Sequence, residues 1–320
     1  MASIKDVAKA SGVSISTVSY VLNDDPRIPE VTASKVRQIA NEIGYLPSAA
    51  ARNLKKQNTK TILVAISDFG GPVYHELLDG IQHQLTKEGY TMIVSTGISS
   101  VNLLKERSAD AAIVTDIHLS NELLIKTAKN FGPIILLDRK LSDEFVYHIT
   151  IDNEEAMFEL TSKAINSRKR SKIAYVHGVK GTYDNQTRFQ GFLRAIHSHQ
   201  ISTYSEYFGL FTKQSGEDIV EQIIRKEEPM PDLFICANDE MAIGIMDRLK
   251  VHHFDIPNTV GICGFDDIDL SSYVQPQLST VKIAHREWGM NAALTAVQLI
   301  RKEAVTFFVQ KGQVIIRDSF

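Results

Sequence analysis

Cysteine is nearly missing from this chain: two in 320 residues, Cys236 and Cys263, each inside an apolar, strand-like run. Two thiols cannot supply a four-thiolate zinc site, and no Cys-x-x-Cys pair is present. Buried free thiols of a reducing compartment are expected. Long apolar runs are absent too; none approaches the roughly 18–20 residues of a membrane span. The start MASIKDVAKA carries an acid and no apolar core, unlike a secretory leader. The expectation is a cytoplasmic protein with no membrane association. Catalytic signatures are equally scarce. No Gly-x-Ser-x-Gly, His-Glu-x-x-His or phosphate-binding Gly-x-x-x-x-Gly-Lys-Ser/Thr occurs. No nucleophile–base pair is visible, so neither an enzyme nor a cofactor is expected. Asp266-Asp267-Ile268-Asp269 lacks the glycine and the later glutamate of a calcium loop. His197, His199, His252 and His253 read as solvent-facing histidines at helix ends, and no metal site is expected.

What is present is uneven. Residues 1–60 hold nine Lys/Arg against five Asp/Glu, a balance of +4 in a chain whose net charge is −3, which leaves −7 for the rest. A basic head on an acidic body suits phosphate contact by the head alone. Hydrophobic residues make up 43% and charged residues 23%, ordinary values for a soluble chain long enough for two or three compact units.

The head reads as three short helices. Ser3 caps the first, with Asp6 three residues on, and Ile4, Val7 and Ala8 give an apolar face. Ser11-Gly12-Val13 makes a turn, with Gly12 free to take positive φ. Ser14 then caps a second helix to about Asn23, with Val18, Val21 and Leu22 inward and Ile15, Ser16, Thr17, Ser19 and Tyr20 outward. Two helices on a tight glycine turn predict a helix-turn-helix, whose second helix enters the major groove. A third helix over residues 30–43 carries Val36, Ile39, Ala40 and Ile43 on one face, with Gly44 at its end. After it, Pro47-Ser48-Ala49-Ala50-Ala51-Arg52-Asn53-Leu54-Lys55-Lys56 has a capping serine and helix formers, yet is too short for a stable helix alone. It reads as a helix only when something holds it.

The run Ile4-Lys5-Asp6-Val7-Ala8-Lys9-Ala10-Ser11-Gly12-Val13-Ser14-Ile15-Ser16-Thr17-Val18-Ser19, then Gly44-Tyr45 and the 47–54 segment, resembles the LacI/GalR family of bacterial repressors. The resemblance runs the length of the chain. It implies that Ile15, Ser16 and Tyr20 touch bases, and that Ser14, Thr17 and Ser19 touch phosphate or pack beside it. It further implies that Leu54 wedges into the minor groove from a paired hinge helix. Ala50, Ala51 and Arg52 would then lie near the groove and Lys55 near phosphate. Pro29 departs from the family's usual serine or threonine cap; proline suits a first helical turn.

In residues 61–320, strand-like runs at 62–67, 91–95, 111–114, 134–137, 173–177, 233–236 and 260–263 alternate with helical ones. That alternation predicts an α/β body with parallel sheets flanked by helices. The resemblance implies a two-lobed, periplasmic-binding-protein-like body: lobe one at 61–151 and 281–306, lobe two at 152–280 and 307–320. The head is 1–46 and the hinge and linker 47–58. Ligands in such sheets sit beyond the carboxyl ends of strands. That rule selects Asp68, Asp138, Arg188, Asn238 and Asp266. These acceptors and donors suit a sugar, and Tyr74 and Phe211 could face its ring. Four of these, with an aromatic near Phe211, match the family's effector positions. The segment 96–110 is shorter than the family's pattern, room for two helical turns at best, next to the family's dimer face.

The reading is a homodimeric, sequence-specific repressor of double-stranded operator DNA, controlled by a small effector in the interlobe cleft, with a sugar favoured. Alternatives are a catabolite-control regulator using a phosphoprotein corepressor, and a nucleobase-responsive repressor. No heptad tail follows the body, so a coiled-coil tetramer is not expected.

Overall fold

The structure, a computed structural model, describes residues 2–46 and 58–320. The expectations placed on Ala50, Ala51, Arg52, Leu54 and Lys55 lie outside the described residues. The chain divides into two compact units, Met1–Thr59 and Lys60–Phe320.

The first unit holds α1 (Ile4–Ser11), α2 (Ile15–Val21) and α3 (Glu30–Glu42). Ser3 and Asp6 cap α1 reciprocally: Ser3 Oγ accepts from the Asp6 amide, and Asp6 Oδ2 accepts from the Ser3 amide at 2.9 Å. The chain then turns at Gly12, whose φ of 73° a side chain would resist. Ser14 Oγ accepts the Thr17 amide at 3.0 Å and starts α2. Val7, Val18, Val21 and Val36 close a small core. One expectation fails. α3 ends at Glu42, one residue early, and its inward stripe runs Ala33–Val36–Ala40. Ile39 is only half-buried and Ile43, past the last turn, is exposed.

The second unit is α/β. Its first sheet has β1 (Thr61–Ile66), β2 (Thr91–Thr96), β3 (Ala111–Thr115), β4 (Ile134–Leu136) and β5 (Val146–His148) in the order β2-β1-β3-β4-β5, all parallel. Its second has β6 (Ile173–His177), β7 (Ser205–Phe208), β8 (Leu233–Cys236) and β9 (Gly261–Cys263) in the order β7-β6-β8-β9, also parallel. β3, β6 and β8 are buried at every position. Parallel strands covered on both faces read as continuous apolar runs, which is why these strands stood out.

Helices cover the sheets: α4 (Pro72–Glu88), α5 (Gly97–Lys105) and α6 (Asn121–Phe131) follow strands of the first. α7 (Asn153–Ser167), α8 (Tyr183–Ser198), α9 (Lys213–Arg225), α10 (Asp239–Val251) and the short α11 (Leu270–Tyr273) belong with the second. α5 has nine residues, about two and a half turns, slightly more than the segment was expected to hold. The chain passes between the sheets three times. It crosses after β5 into α7, through β10 (Thr280–Ile283) into α12 (His285–Arg301), and back through β11 (Gly312–Ile315), antiparallel to β10. α12 packs on α4, β3 and β4, whereas β11 packs on α7. The α4–α12 approach is close enough to require glycine. A Cβ at Gly80 would lie 2.0 Å from the Arg286 carbonyl oxygen, and one at Gly289 would lie 2.3 Å from that of Leu77. Both cysteines are free and buried. Among the described residues no helix is long and apolar enough to cross a membrane.

Candidate functional site

On the head, the outward face of α2 carries two exposed apolar side chains, Ile15 at 46% and Tyr20 at 42%. Ser14 is drawn into its cap and also bonds Thr17 Oγ1 at 2.9 Å and Ser16 Oγ at 3.2 Å. Thr17 and Ser19 are half-buried, and Ser16 is exposed. The Arg27 guanidinium lies 5.1 Å from the Tyr20 ring centre and is gripped by both oxygens of Asp25, which fixes a cation beside the exposed face.

In the body, the ends of strands from both sheets meet in one cleft of about 360 Å3. Asp68, Tyr74, Asp138, Arg188, Phe211, Asn238 and Asp266, all seven singled out from the sequence, line it. Asp68 follows β1 and Tyr74 lies in the first turn of α4. Asn238 follows β8 and caps α10, while Asp266 follows β9. Arg188 reaches in from α8. Burial holds the Tyr74 phenol above its ordinary range.

Arg188 organises the floor. Its Nε donates to Asn153 Oδ1 at 3.0 Å, Nη1 to the Ala237 carbonyl at 2.6 Å and Nη2 to Asp266 Oδ1 at 3.3 Å. The guanidinium also sits 3.9 Å from the Phe265 ring centre. Three of its five N–H groups are thereby committed, and among the described residues the other two are uncommitted. Burial pushes the Asp266 carboxyl up to about 6 against the pull of Arg188, with Asp184 and Glu240 adding to the rise. Burial likewise raises Asp184, which accepts from Asn153 Nδ2 at 2.8 Å.

The backbone is strained at the same place. Phe211 (φ 63°), Asp266 (φ 110°) and Asp267 (φ 54°) occupy positive φ without being glycine, a cost on the order of 1–3 kcal/mol each. Neighbours hold them there. The Asp266 amide donates to the Val281 carbonyl at 2.8 Å. Asp239, fully buried, accepts from Ser271 Oγ at 2.7 Å and the Ile268 amide at 3.0 Å, which pins the loop after Asp266. The Phe211 ring lies where a Cβ on Gly178 would have to be, 2.1 Å away, so any larger residue at 178 would displace that ring.

Two selected residues are less free than the sequence suggested. Asn238 accepts the Met241 amide at 3.1 Å and donates to the Phe211 carbonyl at 2.9 Å, so it is first a helix cap and a strut. Asp138 is held by Arg139 through both oxygens, at 3.0 and 2.7 Å. Arg139 also donates to the carbonyls of Leu119 and Asp116 at 2.7 Å.

Sequence reasoning did not single out four further ionisable or aromatic cleft residues: Asp184, Glu240, His285 and Trp288. Glu240 sits one residue past Asn238-Asp239 and could have been read from that adjacency. His285 and Trp288 come from α12, after the second crossing, and no local pattern marks them. His285 is 4% exposed, and among the described residues neither ring nitrogen has a hydrogen-bond partner. Burial, then Arg188, drives its pKa down to about 3, so the ring is neutral. Trp288, the single tryptophan, donates from Nε1 to the Ile149 carbonyl at 2.9 Å.

Residues 3–48 match the family described as bacterial regulatory proteins, lacI family, and residues 164–320 match the periplasmic binding protein-like domain. The chain is 33% identical over 302 residues to the HTH-type transcriptional repressor PurR of Vibrio atlanticus, covering 91% of this chain and 90% of that protein. It is 29% identical over 330 residues to the probable HTH-type transcriptional repressor ExuR of Bacillus subtilis, covering 100% and 98%. Among solved structures, it resembles a sugar-binding transcriptional regulator of the LacI family from Enterococcus faecalis, with a TM-score of 0.74 and 29% identity over 82% of this chain and 97% of that one. The lac repressor dimer bound to operator and the anti-inducer ONPF shares the fold, with a TM-score of 0.85 at 23% identity over 99% and 98%.

Proposed function

The chain belongs to the LacI family of bacterial regulatory proteins, and from that premise we propose a homodimeric operator-binding repressor whose grip on DNA is set by a sugar in the body's cleft. The observation that carries the reading is the meeting of hydroxyl-seeking groups from both sheets on one cleft, with aromatic faces beside them. Asp138 and Asp266 accept from ligand hydroxyls, the two remaining N–H groups of Arg188 donate, and Tyr74 and Phe211 cover a ring. Such a mixed apolar and polar lining is what small-molecule sites require. Three chain crossings join the sheets, so a ligand bridging both lobes favours one lobe arrangement over another.

On the head, Ile15, Ser16 and Tyr20 read base edges, and Ser14, Thr17 and Ser19 settle on the backbone. A dimer presents two heads, so the operator is a near-palindrome. The sequence of residues 47–56 supplies the link by resemblance: Leu54, Ala50, Ala51 and Arg52 meet the minor groove and Lys55 the phosphates. The site of action is the cytoplasm. A panel of mono- and oligosaccharides read by Trp288 emission tests the cleft. At least one sugar changes the emission of the natural protein, and Arg188→Ala abolishes that change. An Arg188→Ala protein that still binds the same sugar with the same affinity refutes the assignment.

A further inference from the structure

We propose that the ligand of this cleft carries a protonated amine on a hydroxyl-rich frame, an amino sugar, with its ammonium held between Asp68 and Glu240. The inference rests on the cleft reading above and narrows it. Five carboxylates line the cleft, those of Asp68, Asp138, Asp184, Glu240 and Asp266, and the single guanidinium among the lining residues is that of Arg188. Asp138 is neutralised by Arg139 at 2.7 Å, and Asp266 is paired with Arg188 at 3.3 Å. Asp184 accepts from Asn153 Nδ2 at 2.8 Å, and burial shifts its carboxyl upward. Lys213, on the adjoining cavity wall, is bound to Glu217 and Asp247 at 2.6 and 2.9 Å.

Asp68 and Glu240 remain. Asp68 stands beyond β1 of the first sheet, its Oδ1 accepting the Gly70 amide at 2.7 Å. Glu240 stands in the first turn of α10 on the second, and among the described residues no cation pairs with its carboxylate. Burial and the charge of Asp68 both push the Glu240 carboxyl upward. Two like charges on opposing lobes resist closure, and a cation between them turns that resistance into attraction. The cation is not a metal ion: among the described residues, no three His, Cys, Asp or Glu side chains are grouped to hold one. An ammonium fits because it donates to each carboxylate singly, without a closed coordination shell.

His285 is the second observation. It lines the cleft with Glu240 and Asp266, is buried, and among the described residues has both ring nitrogens unpartnered, with Nε2 3.9 Å from Asp266 Oδ1. A buried imidazole with neither nitrogen bonded awaits a polar group from a ligand. Being neutral, it accepts at one nitrogen and donates at the other, which suits a hydroxyl next to the amine. A uronate or a sugar phosphate would instead bring negative charge into a carboxylate-lined cleft, with two N–H groups of Arg188 as its charged donors.

The test uses the full-length protein and Trp288 emission, with three matched series: amino sugars (glucosamine, galactosamine, mannosamine), their neutral parents and their uronic acids. The expected result is that one amino sugar binds roughly tenfold or more tightly than its neutral parent, the scale of one charge-assisted hydrogen bond. In Glu240→Gln, and separately in Asp68→Asn, that ratio falls towards one. The inference is overturned if a neutral parent or a uronic acid binds as tightly as the amine. It is equally overturned if the amine preference survives both substitutions, or if no amino sugar binds. The broader cleft reading fails separately, if no member of any series binds or if binding is undiminished in Arg188→Ala.

Discussion

Removing the Arg188 side chain should destabilise the body by an amount that depends on pH. In Arg188→Ala, the bonds to Asn153 and Ala237 are lost and Asp266 loses its partner. Breaking a buried pair by deleting one member costs about 3–5 kcal/mol, because the other charge is stranded. That cost applies only where Asp266 is ionised. Its folded pKa, about 6, lies above the unfolded value near 3.9. The protonated form is therefore favoured by folding, and Asp266 contributes most below the unfolded value and loses that contribution as pH rises through about 6. Arg188 limits the loss in the natural protein, and in the variant the loss continues upward. At pH 8 the variant should be less stable by about 3–5 kcal/mol. At pH 5, where Asp266 is already largely neutral, only the two hydrogen bonds and the contact with Phe265 are missing, about 2 kcal/mol. Urea unfolding followed by Trp288 emission measures both, since that residue sits in the body alone. Combining the change with Asp266→Asn should show a coupling of roughly 1–3 kcal/mol at pH 8 and little at pH 5. An equal loss at both pH values, with no coupling, would refute the account of the cleft floor.

Two further outcomes follow from geometry. Gly80→Ala should lower the body's stability by about 1–3 kcal/mol, because the added methyl meets the Arg286 backbone, which has no rotamer to yield. An unchanged urea midpoint would mean that α4 and α12 are less closely packed. Ile15→Ser should weaken operator binding by about 1–3 kcal/mol while the head's circular dichroism stays the same. Competition with non-operator duplex, at matched salt, would show whether the loss is in sequence reading or in general affinity.

Much of this fold can be read from the chain, and the reason is local. Ser3 with Asp6, Ser14 with Thr17, and Gly12 between them are short-range devices, and each appears where the spacing puts it. β3, β6 and β8 stood out because burial on both faces leaves no polar alternation to confuse them, whereas the exposed edge strand β7 and the short β5 did not. Five of the cleft positions emerged from one rule, that ligands lie beyond strand ends. What was missed depends on contacts far apart in sequence. Arg139 neutralises Asp138 from the next residue, yet its orientation is set by the carbonyls of Asp116 and Leu119. His285 and Trp288 reach the cleft only because β10 carries the chain back to the first sheet, and nothing in a window around them shows it. Ile43 was placed inside by helical period alone, and the helix ends before its turn can bring it there.

The central claim is that an occupied cleft changes the grip on DNA. Fluorescence anisotropy of a labelled operator duplex, titrated with the full-length protein at fixed salt with and without saturating cleft ligand, measures it directly. The account predicts operator affinities that differ by roughly 5–150-fold, a coupling of about 1–3 kcal/mol, in the natural protein and by nothing in Arg188→Ala. The same operator affinity in the natural protein with the cleft filled and empty would contradict it.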